Sequence, residues 1–244
     1  MEDIAGNIER QMTQLGDEAQ ARHLMRFFKT GKGEYGEGDR FLGIRVPVSR
    51  TIVRQWRDKA DMAVVQTLLG SCWHEVRFVG FLLLVEIYKK MVKAGDDTAS
   101  LIRFYLSVID RGNNWDLVDL VAPKILGDRV LRFPDDRKIL YDLAERHGQL
   151  WHQRVAVVST WTLIREHRYD EALNICTLYL DHPHDLIHKA SGWMLREIGK
   201  RGGMRHLMDF LDAHAHRMPR TMLRYAIEKL SAEQRQYYLH YSGT

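Results

Sequence analysis

The hexapeptide Ile187-His188-Lys189-Ala190-Ser191-Gly192 decides the fold, because its pattern recurs along the chain. Each copy places apolar residues at helical spacing around a basic residue in the third place. The copies are Glu75-Val76-Arg77-Phe78-Val79-Gly80, His152-Gln153-Arg154-Val155-Ala156-Val157 and Met222-Leu223-Arg224-Tyr225-Ala226-Ile227. Such self-similarity indicates an internal repeat.

The spacing of the basic residues gives the length of the repeat. Arg154, Lys189 and Arg224 follow one another at intervals of 35 residues. Between Arg77 and Arg154 the same register falls on Asp119, which lies 42 residues after the first and 35 before the second. One repeat therefore carries an acid where the others carry a base.

A period of 35 to 42 residues with helical periodicity predicts an all-α fold. One helix pair cannot bury its apolar face alone, so the pairs should stack into an α-solenoid of HEAT-like repeats. We predict a single HEAT-like domain over residues 1–244, in which corresponding helices line a concave basic groove. The basic residues of this groove suit a nucleic-acid backbone, since successive cations neutralise successive phosphates. Pairing of the same residues with acids of adjacent repeats is the open alternative.

Asp119 lies in Arg111-Gly112-Asn113-Asn114-Trp115-Asp116-Leu117-Val118-Asp119-Leu120-Val121-Ala122-Pro123. Trp115 stands four residues before Asp119, so both side chains should project from one helical face. A lone carboxylate among cations repels phosphates, and it therefore requires either a structural partner, with Arg154 the candidate, or a cationic target. Trp193, four residues after Lys189, adds a second indole. These groups could hold a cation by charge and by ring-face electrostatics.

Pro123 should interrupt the helix that carries Asp119. Within a continuous helix, proline cannot donate to the carbonyl four residues earlier, which is that of Asp119. We predict a kink or a helix start at this position.

The composition excludes several other classes of protein. The 36 Lys and Arg residues against 32 Asp and Glu residues give a net charge of +4. This charge slightly favours polyanions as binding partners. No apolar stretch reaches the length of a membrane span, and the acidic N-terminus is unlike a secretory signal. The two cysteines, Cys72 and Cys176, lack the spacing of a metal or redox site, and no zinc, nucleotide or hydrolase motif appears. We expect a cytoplasmic monomer without metal or cofactor.

The N-terminal part predicts two amphipathic helices followed by a glycine-rich connection. Gly31-Lys32-Gly33-Glu34-Tyr35-Gly36 formally matches a dinucleotide-binding motif. That motif needs a strand before it and a helix after it, whereas a helical pattern precedes this segment. A flexible connection is the better interpretation. The clustered histidines His182, His184 and His188 are interpreted as exposed residues of a turn or a helix face.

Asn113-Asn114-Trp115-Asp116-Leu117-Val118-Asp119, with Ala122-Pro123 and Leu126-Gly127-Asp128, resembles the signature of the AlkD-type alkylpurine DNA glycosylases, a HEAT-like-repeat family of DNA alkylation repair. The resemblance covers essentially the whole chain. Its other segments are Phe41-Leu42-Gly43-Ile44, Trp151-His152-Gln153-Arg154-Val155-Ala156 and Ile187-His188-Lys189-Ala190-Ser191-Gly192-Trp193 with Leu195-Arg196-Glu197 and Gly199.

The resemblance implies hydrolysis of the N-glycosidic bond of 3-methyladenine and 7-methylguanine in duplex DNA. By motif, Asp119 matches the catalytic carboxylate, Trp115 and Trp193 match the paired aromatic residues, and Arg154 matches the active-site arginine. The family further implies that the base is not enclosed. Arg77, Arg154, Lys189 and Arg224 remain the expected DNA-binding residues, with the protein associated with the nucleoid when it binds DNA. The alternative function is a non-catalytic HEAT-like scaffold that binds DNA or a protein.

Overall fold

A computed structural model describes residues 3–241, and within this range the chain is all-helical without a β-strand. It divides into two compact units, Met1–Val121 and Ala122–Thr244. An all-α, solenoid-like fold of helical repeats is confirmed. The single domain and the concave basic groove stay predictions.

The helices of the first unit are α1 (Ile4–Gln14), α2 (Glu18–Phe27), α3 (Val46–Trp56), α4 (Met62–Leu69), α5 (His74–Ala94), α6 (Ala99–Ser107) and α7 (Trp115–Val121). The two predicted N-terminal helices are thus confirmed as α1 and α2. Their N-cap residues are Asp3 and Asp17, whose carboxylates accept the N–H groups of Gly6 and Gln20.

Helix α5 forms the centre of the first unit. Its residues from His74 to Val85 are all buried, which is typical of a helix that is covered on every side. Helices α1, α3, α4 and α7 contact α5 and enclose it. Charged residues at the beginning of α5 are therefore held inside the protein and require partners there.

The second unit contains α8 (Asp128–Arg132), α9 (Lys138–Ala144), α10 (Leu150–Arg165), α11 (Asp170–Leu178), α12 (Asp185–Lys200), α13 (Met204–His214), α14 (Arg220–Ala226) and α15 (Ala232–His240). Helix α10 packs on α9, α11 and α12, and α12 packs on α13 and α14. The close approach of α12 to α14 requires Gly192, since a Cβ atom there would lie 2.4 Å from the carbonyl oxygen of Met222.

The helix starts confirm the repeat that the sequence predicted. Helices α7, α10, α12 and α14 begin at residues 115, 150, 185 and 220, and are therefore 35 residues apart. Asp119, Arg154, Lys189 and Arg224 each occupy the fifth position of their helix.

The predicted interruption at Pro123 is also confirmed. Helix α7 ends at Val121, and a π-helical turn follows from Pro123 to Gly127. Because proline has no backbone N–H group, the α-helical hydrogen bond to the Asp119 carbonyl cannot form.

The glycine-rich segment is a closed turn. Its Gly31 and Gly33 N–H groups donate to the carboxylates of Glu34 and Glu37 at 2.9 and 2.8 Å. These N–H groups are thereby occupied, which agrees with the interpretation that the segment is not a phosphate-binding loop. Within residues 3–241, no helix has the length and apolar character needed to cross a membrane.

Candidate active site

Helix α7 is fixed at its first residue by Asn114, which is fully buried. The Asn114 side chain accepts the N–H of Trp115 at 2.9 Å through Oδ1 and donates to the carbonyl of Phe28 at 3.1 Å through Nδ2. This residue therefore connects the start of α7 to the end of α2. The position of Trp115 follows from these two hydrogen bonds.

A cavity of about 480 Å³ lies in the first unit, and both Trp115 and Asp119 line it. Their spacing of four residues places them one helical turn apart, as the sequence predicted. The walls come from α2, the segment before α3, α3 itself, α5 and α7. Most of the lining is apolar or aromatic, and it includes Leu24, Phe27, Phe28, Phe41, Ile44 and Phe78.

The aromatic side chains of the cavity wall contact one another. Phe28 lies 5.3 Å from the ring of Trp115 and is stacked on Phe41 at 5.2 Å between centroids. Phe27 approaches Trp115 edge-on at 6.0 Å, and its side chain is largely exposed. Trp115 is therefore supported on two sides by rings from α2 and the residue that follows it.

His74, the first residue of α5, joins two carboxylates at the same wall. Its Nδ1 lies 2.7 Å from Oδ2 of Asp39, and its Nε2 lies 2.9 Å from Oδ2 of Asp116. Burial lowers the pKa of His74, but the charges and hydrogen bonds of Asp116 and Asp39 outweigh it and raise the pKa to about 9. At neutral pH the ring is thus an imidazolium that donates to both carboxylates. The Phe41 ring stacks on this cation with 4.2 Å between centroids.

Arg77 completes this network, and its expected role in phosphate binding must be corrected. Its Nη2 lies 2.6 Å from Oδ1 of Asp39 and 2.8 Å from Oδ1 of Asn113. Its Nε and Nη1 donate to the carbonyls of Arg111 and Ser71. The residue is 4% exposed, so the guanidinium is committed to internal partners. Burial raises the pKa of Asp39, yet His74 and Arg77 lower it by more, so the carboxylate stays ionised.

Glu75 fixes the segment that covers the cavity. Its buried carboxylate accepts the backbone N–H groups of Leu42, Gly43 and Ile44 at 2.9 to 3.0 Å. Gly43 has φ of +86°, and a Cβ atom there would lie 2.0 Å from the carbonyl oxygen of Asp17. Only glycine fits this turn.

Sequence reasoning missed Asp39, His74, Glu75 and Asp116. Their partners lie 31 to 42 residues away, and no local pattern reveals such contacts. One signal was present: His74, Glu75 and Arg77 open a helix that is otherwise almost wholly apolar up to Val85. Three ionisable residues at the start of a buried helix indicate an internal polar network.

The remaining predicted site residues belong to the second unit. Arg154 is 5% exposed, and its Nη1 donates to the Leu186 carbonyl at 2.5 Å. A guanidinium so buried does not suit the direct phosphate contact that we expected. Lys189 forms an ion pair with Asp185 at 2.9 Å, with 42% of its side chain exposed. Trp193 is half-buried, and Arg224 is exposed.

The clustered histidines His182, His184 and His188 differ from the exposed residues that we expected. All three side chains are half-buried. Nε2 of His182 lies 3.0 Å from Oε1 of Gln153. Burial, together with the neighbouring histidines, lowers the pKa of His182 to about 4. Within residues 3–241, no group of three or more His, Cys, Asp or Glu residues is placed to hold a metal ion.

The fold and the cavity place this chain in a class of all-helical repeat proteins with an acidic and aromatic site at the beginning of one repeat helix. Comparison with protein families is more specific: the model of the DNA alkylation repair enzyme family matches residues 8–230. The chain belongs to this family.

A solved structure supports the fold. The chain is similar to a predicted DNA alkylation repair enzyme from Enterococcus faecalis, with a TM-score of 0.70 and 16% sequence identity. The match covers 89% of this chain and 97% of the other. At this identity the likeness concerns the fold alone. No curated protein matches the sequence at a significant level.

Proposed function

We propose that the protein is a monofunctional DNA glycosylase that removes cationic alkylated purines, chiefly 3-methyladenine and 7-methylguanine, from duplex DNA. The observation that carries this proposal is the placement of Asp119 and Trp115 on one cavity wall, in a chain that belongs to a family of DNA alkylation repair enzymes. We further propose that it acts as a cytoplasmic monomer.

The proposed chemistry needs one carboxylate. An alkylated purine already carries a positive charge, so it leaves as a neutral base when the bond between its nitrogen and C1′ breaks. The electron pair of that bond goes to the base, and the sugar becomes an oxocarbenium-like cation. Asp119 stabilises this cation electrostatically. Water then adds to C1′ and loses a proton, which Asp119 can accept.

The other residues would bind and orient the DNA. Trp115 supplies an aromatic face to the developing cation, and by resemblance Trp193 supplies a second. Lys189 and Arg224 are the proposed phosphate contacts. Arg154, being buried, is proposed to act within the protein as a positioning residue. No metal or cofactor enters this reaction.

The deciding experiment incubates the wild-type protein with a methylated duplex and measures released 3-methyladenine and 7-methylguanine by chromatography. We expect release by the wild type and its loss by at least about a hundredfold in Asp119→Asn, because the neutral amide cannot stabilise the sugar cation. Duplex binding by this variant should persist. Asp142→Asn, at an exposed position of α9, is the matched control and should release base normally.

Full activity of Asp119→Asn would refute the assigned role of the carboxylate. A wild-type protein that binds DNA but releases no base would instead be the non-catalytic scaffold.

A further inference from the structure

We infer that His74 is a positioning residue for the proposed glycosylase: its ion pair with Asp116 holds the first turn of α7 in the place from which Trp115 and Asp119 act. This inference rests on the proposed function and adds a further residue to it. His74 is 1% exposed, so it acts through α7 and not by contact with the DNA.

Helix α7 needs such an anchor because it is short. It has seven residues, and isolated helices of fewer than about 12 residues are marginal in water. Its C-terminal end gains little stability, since Pro123 cannot donate the α-helical hydrogen bond to the Asp119 carbonyl. The placement of Trp115 and Asp119 therefore depends on contacts between α7 and the rest of the first unit.

Two polar side chains make these contacts at the beginning of α7. Asn114 connects the helix to the end of α2 through the hydrogen bonds described above. Asp116 connects it to α5, because its Oδ2 lies 2.9 Å from Nε2 of His74. Asp116 stands between Trp115 and Asp119 in the chain, so a shift of this residue moves both.

The geometry around His74 requires a protonated ring. Nδ1 lies 2.7 Å from a carboxylate oxygen of Asp39, and Nε2 faces a carboxylate oxygen of Asp116. A neutral imidazole carries a proton on one nitrogen alone, so its other nitrogen would turn a lone pair towards a carboxylate. Both contacts are favourable only in the imidazolium, which agrees with the raised pKa of about 9.

The His74 ring is itself held firmly. The backbone N–H of His74 donates to the Arg40 carbonyl at 2.7 Å. Phe41 stacks on the ring at 4.2 Å, and the Phe28 ring lies 5.3 Å from both His74 and Trp115. His74 is therefore a rigid support against which α7 can be placed.

The Asp116 carboxylate depends on this support. Its Oδ2 is bonded to His74, whereas its buried Oδ1 has no hydrogen-bond partner within residues 3–241. A buried carboxylate oxygen without a donor is costly. Loss of the imidazolium would therefore leave the Asp116 charge poorly compensated and favour a turn of its side chain towards water.

The charged groups around the His74 ring, within residues 3–241, are carboxylates and guanidinium groups. They are Asp39, Arg45, Arg50, Glu75, Arg77, Asp116 and Asp119. Carboxylates ordinarily titrate below about pH 5 and guanidinium groups above about pH 12. A change of activity near pH 9 therefore reports the proton of His74.

The first test measures release of 7-methylguanine from a duplex under single-turnover conditions at neutral pH. We expect folded His74→Gln and Asp116→Asn each to lower the release constant by at least about tenfold, with duplex affinity nearly unchanged, because reacting groups are misplaced while phosphate contacts remain. Asp116→Asn keeps the test valid if His74→Gln fails to fold. His23→Gln, at an exposed position of α2, is the control and should release base normally.

The direction of the effect separates positioning from charge. If the pair acted on the sugar cation by charge alone, His74→Gln would remove a repulsive cation and speed release, whereas Asp116→Asn would slow it. Positioning predicts that both slow release, and that the double variant is no slower than the slower single variant. Release at or above the wild-type rate by folded His74→Gln would overturn the inference.

The pH profile provides a second readout. The ratio of the wild-type release constant to that of His74→Gln cancels the pH dependence of the substrate. We expect this ratio to fall towards one as the pH rises through about 9, since the wild-type ring then loses its proton. A ratio that stays constant over this range would show that the ion pair has no part in release.

Hydrogen exchange separates this inference from the proposed function, because it needs no catalysis. In folded His74→Gln the amides of residues 115–121 should exchange faster than in the wild type, while those of α10 keep their wild-type protection. Unchanged exchange in residues 115–121 would contradict the hold on α7. If the wild type releases no base, the glycosylase fails, and faster exchange confined to α7 still supports the anchoring by His74. If the wild type releases base and the variants release it equally fast, the glycosylase stands and the positioning role is wrong.

Discussion

Nε2 of His74 lies 2.9 Å from Oδ2 of Asp116, the residue that directly follows Trp115. The imidazolium thus holds the first turn of α7 against the first turn of α5, inside the first unit. Stability of this unit should therefore depend on the protonation of His74.

Replacement of His74 by Gln should remove stability in a defined pH range. The folded-state pKa of about 9 lies above the ordinary value of 6.5, so the protonated ring stabilises the folded protein. This contribution is fully present below pH 6.5 and is lost as the pH rises through 9. In that window the wild-type free energy of unfolding should fall by up to about 1.4 kcal/mol per pH unit. Urea titrations at several pH values measure this free energy of unfolding.

His74→Gln should be less stable than the wild type at pH 6.5. Its free energy of unfolding should also lack the fall between pH 6.5 and 9 that the titration of His74 causes in the wild type. His23→Gln, at an exposed position of α2, is the control and should keep the wild-type decline. An unchanged alkaline slope in His74→Gln would show that another group titrates there.

The helical register could be predicted from sequence because it depends on local periodicity. Asp119 and Trp115 share a wall because a four-residue spacing fixes their relation within one helix. The burial of Arg77 could not be predicted. The apolar pattern of α5 fits a helix with one exposed face as well as a helix that is covered on every side. Its partner Asp39 lies 38 residues earlier in the chain, and only the fold brings the two together.

Arg77→Met should lower stability without changing the electrostatics of DNA binding. It leaves Asp39 with one cationic partner fewer, and breaking a buried ion pair costs about 3–5 kcal/mol. Since Arg77 is buried among internal partners, the dependence of duplex affinity on salt should be that of the wild type. Chemical denaturation and affinity measurements at several salt concentrations give the two quantities.

The exposed Arg224 provides the opposite case. Arg224→Ala should leave stability nearly unchanged, while the slope of log affinity against log salt falls by about 0.9, as expected for one lost phosphate contact. A reduced slope in Arg77→Met would restore Arg77 as a DNA contact, and an unchanged slope in Arg224→Ala would remove Arg224 from that role.

Gly43→Ala should damage the cavity wall through two separable effects. Its φ of +86° is strained for any residue with a Cβ atom, and that atom would lie 2.0 Å from the Asp17 carbonyl oxygen. Gly38 has a similar φ of +79°, but a Cβ atom there would have no neighbour within 4 Å, so Gly38→Ala reports the backbone strain alone, about 1–2 kcal/mol. Gly43→Ala should cost clearly more. It should also slow base release in the folded fraction, because the N–H groups that bind Glu75 must move. If Gly43→Ala and Gly38→Ala are equally stable in urea, the backbone around Gly43 can move to accommodate the Cβ atom, and the predicted damage to the cavity wall is wrong.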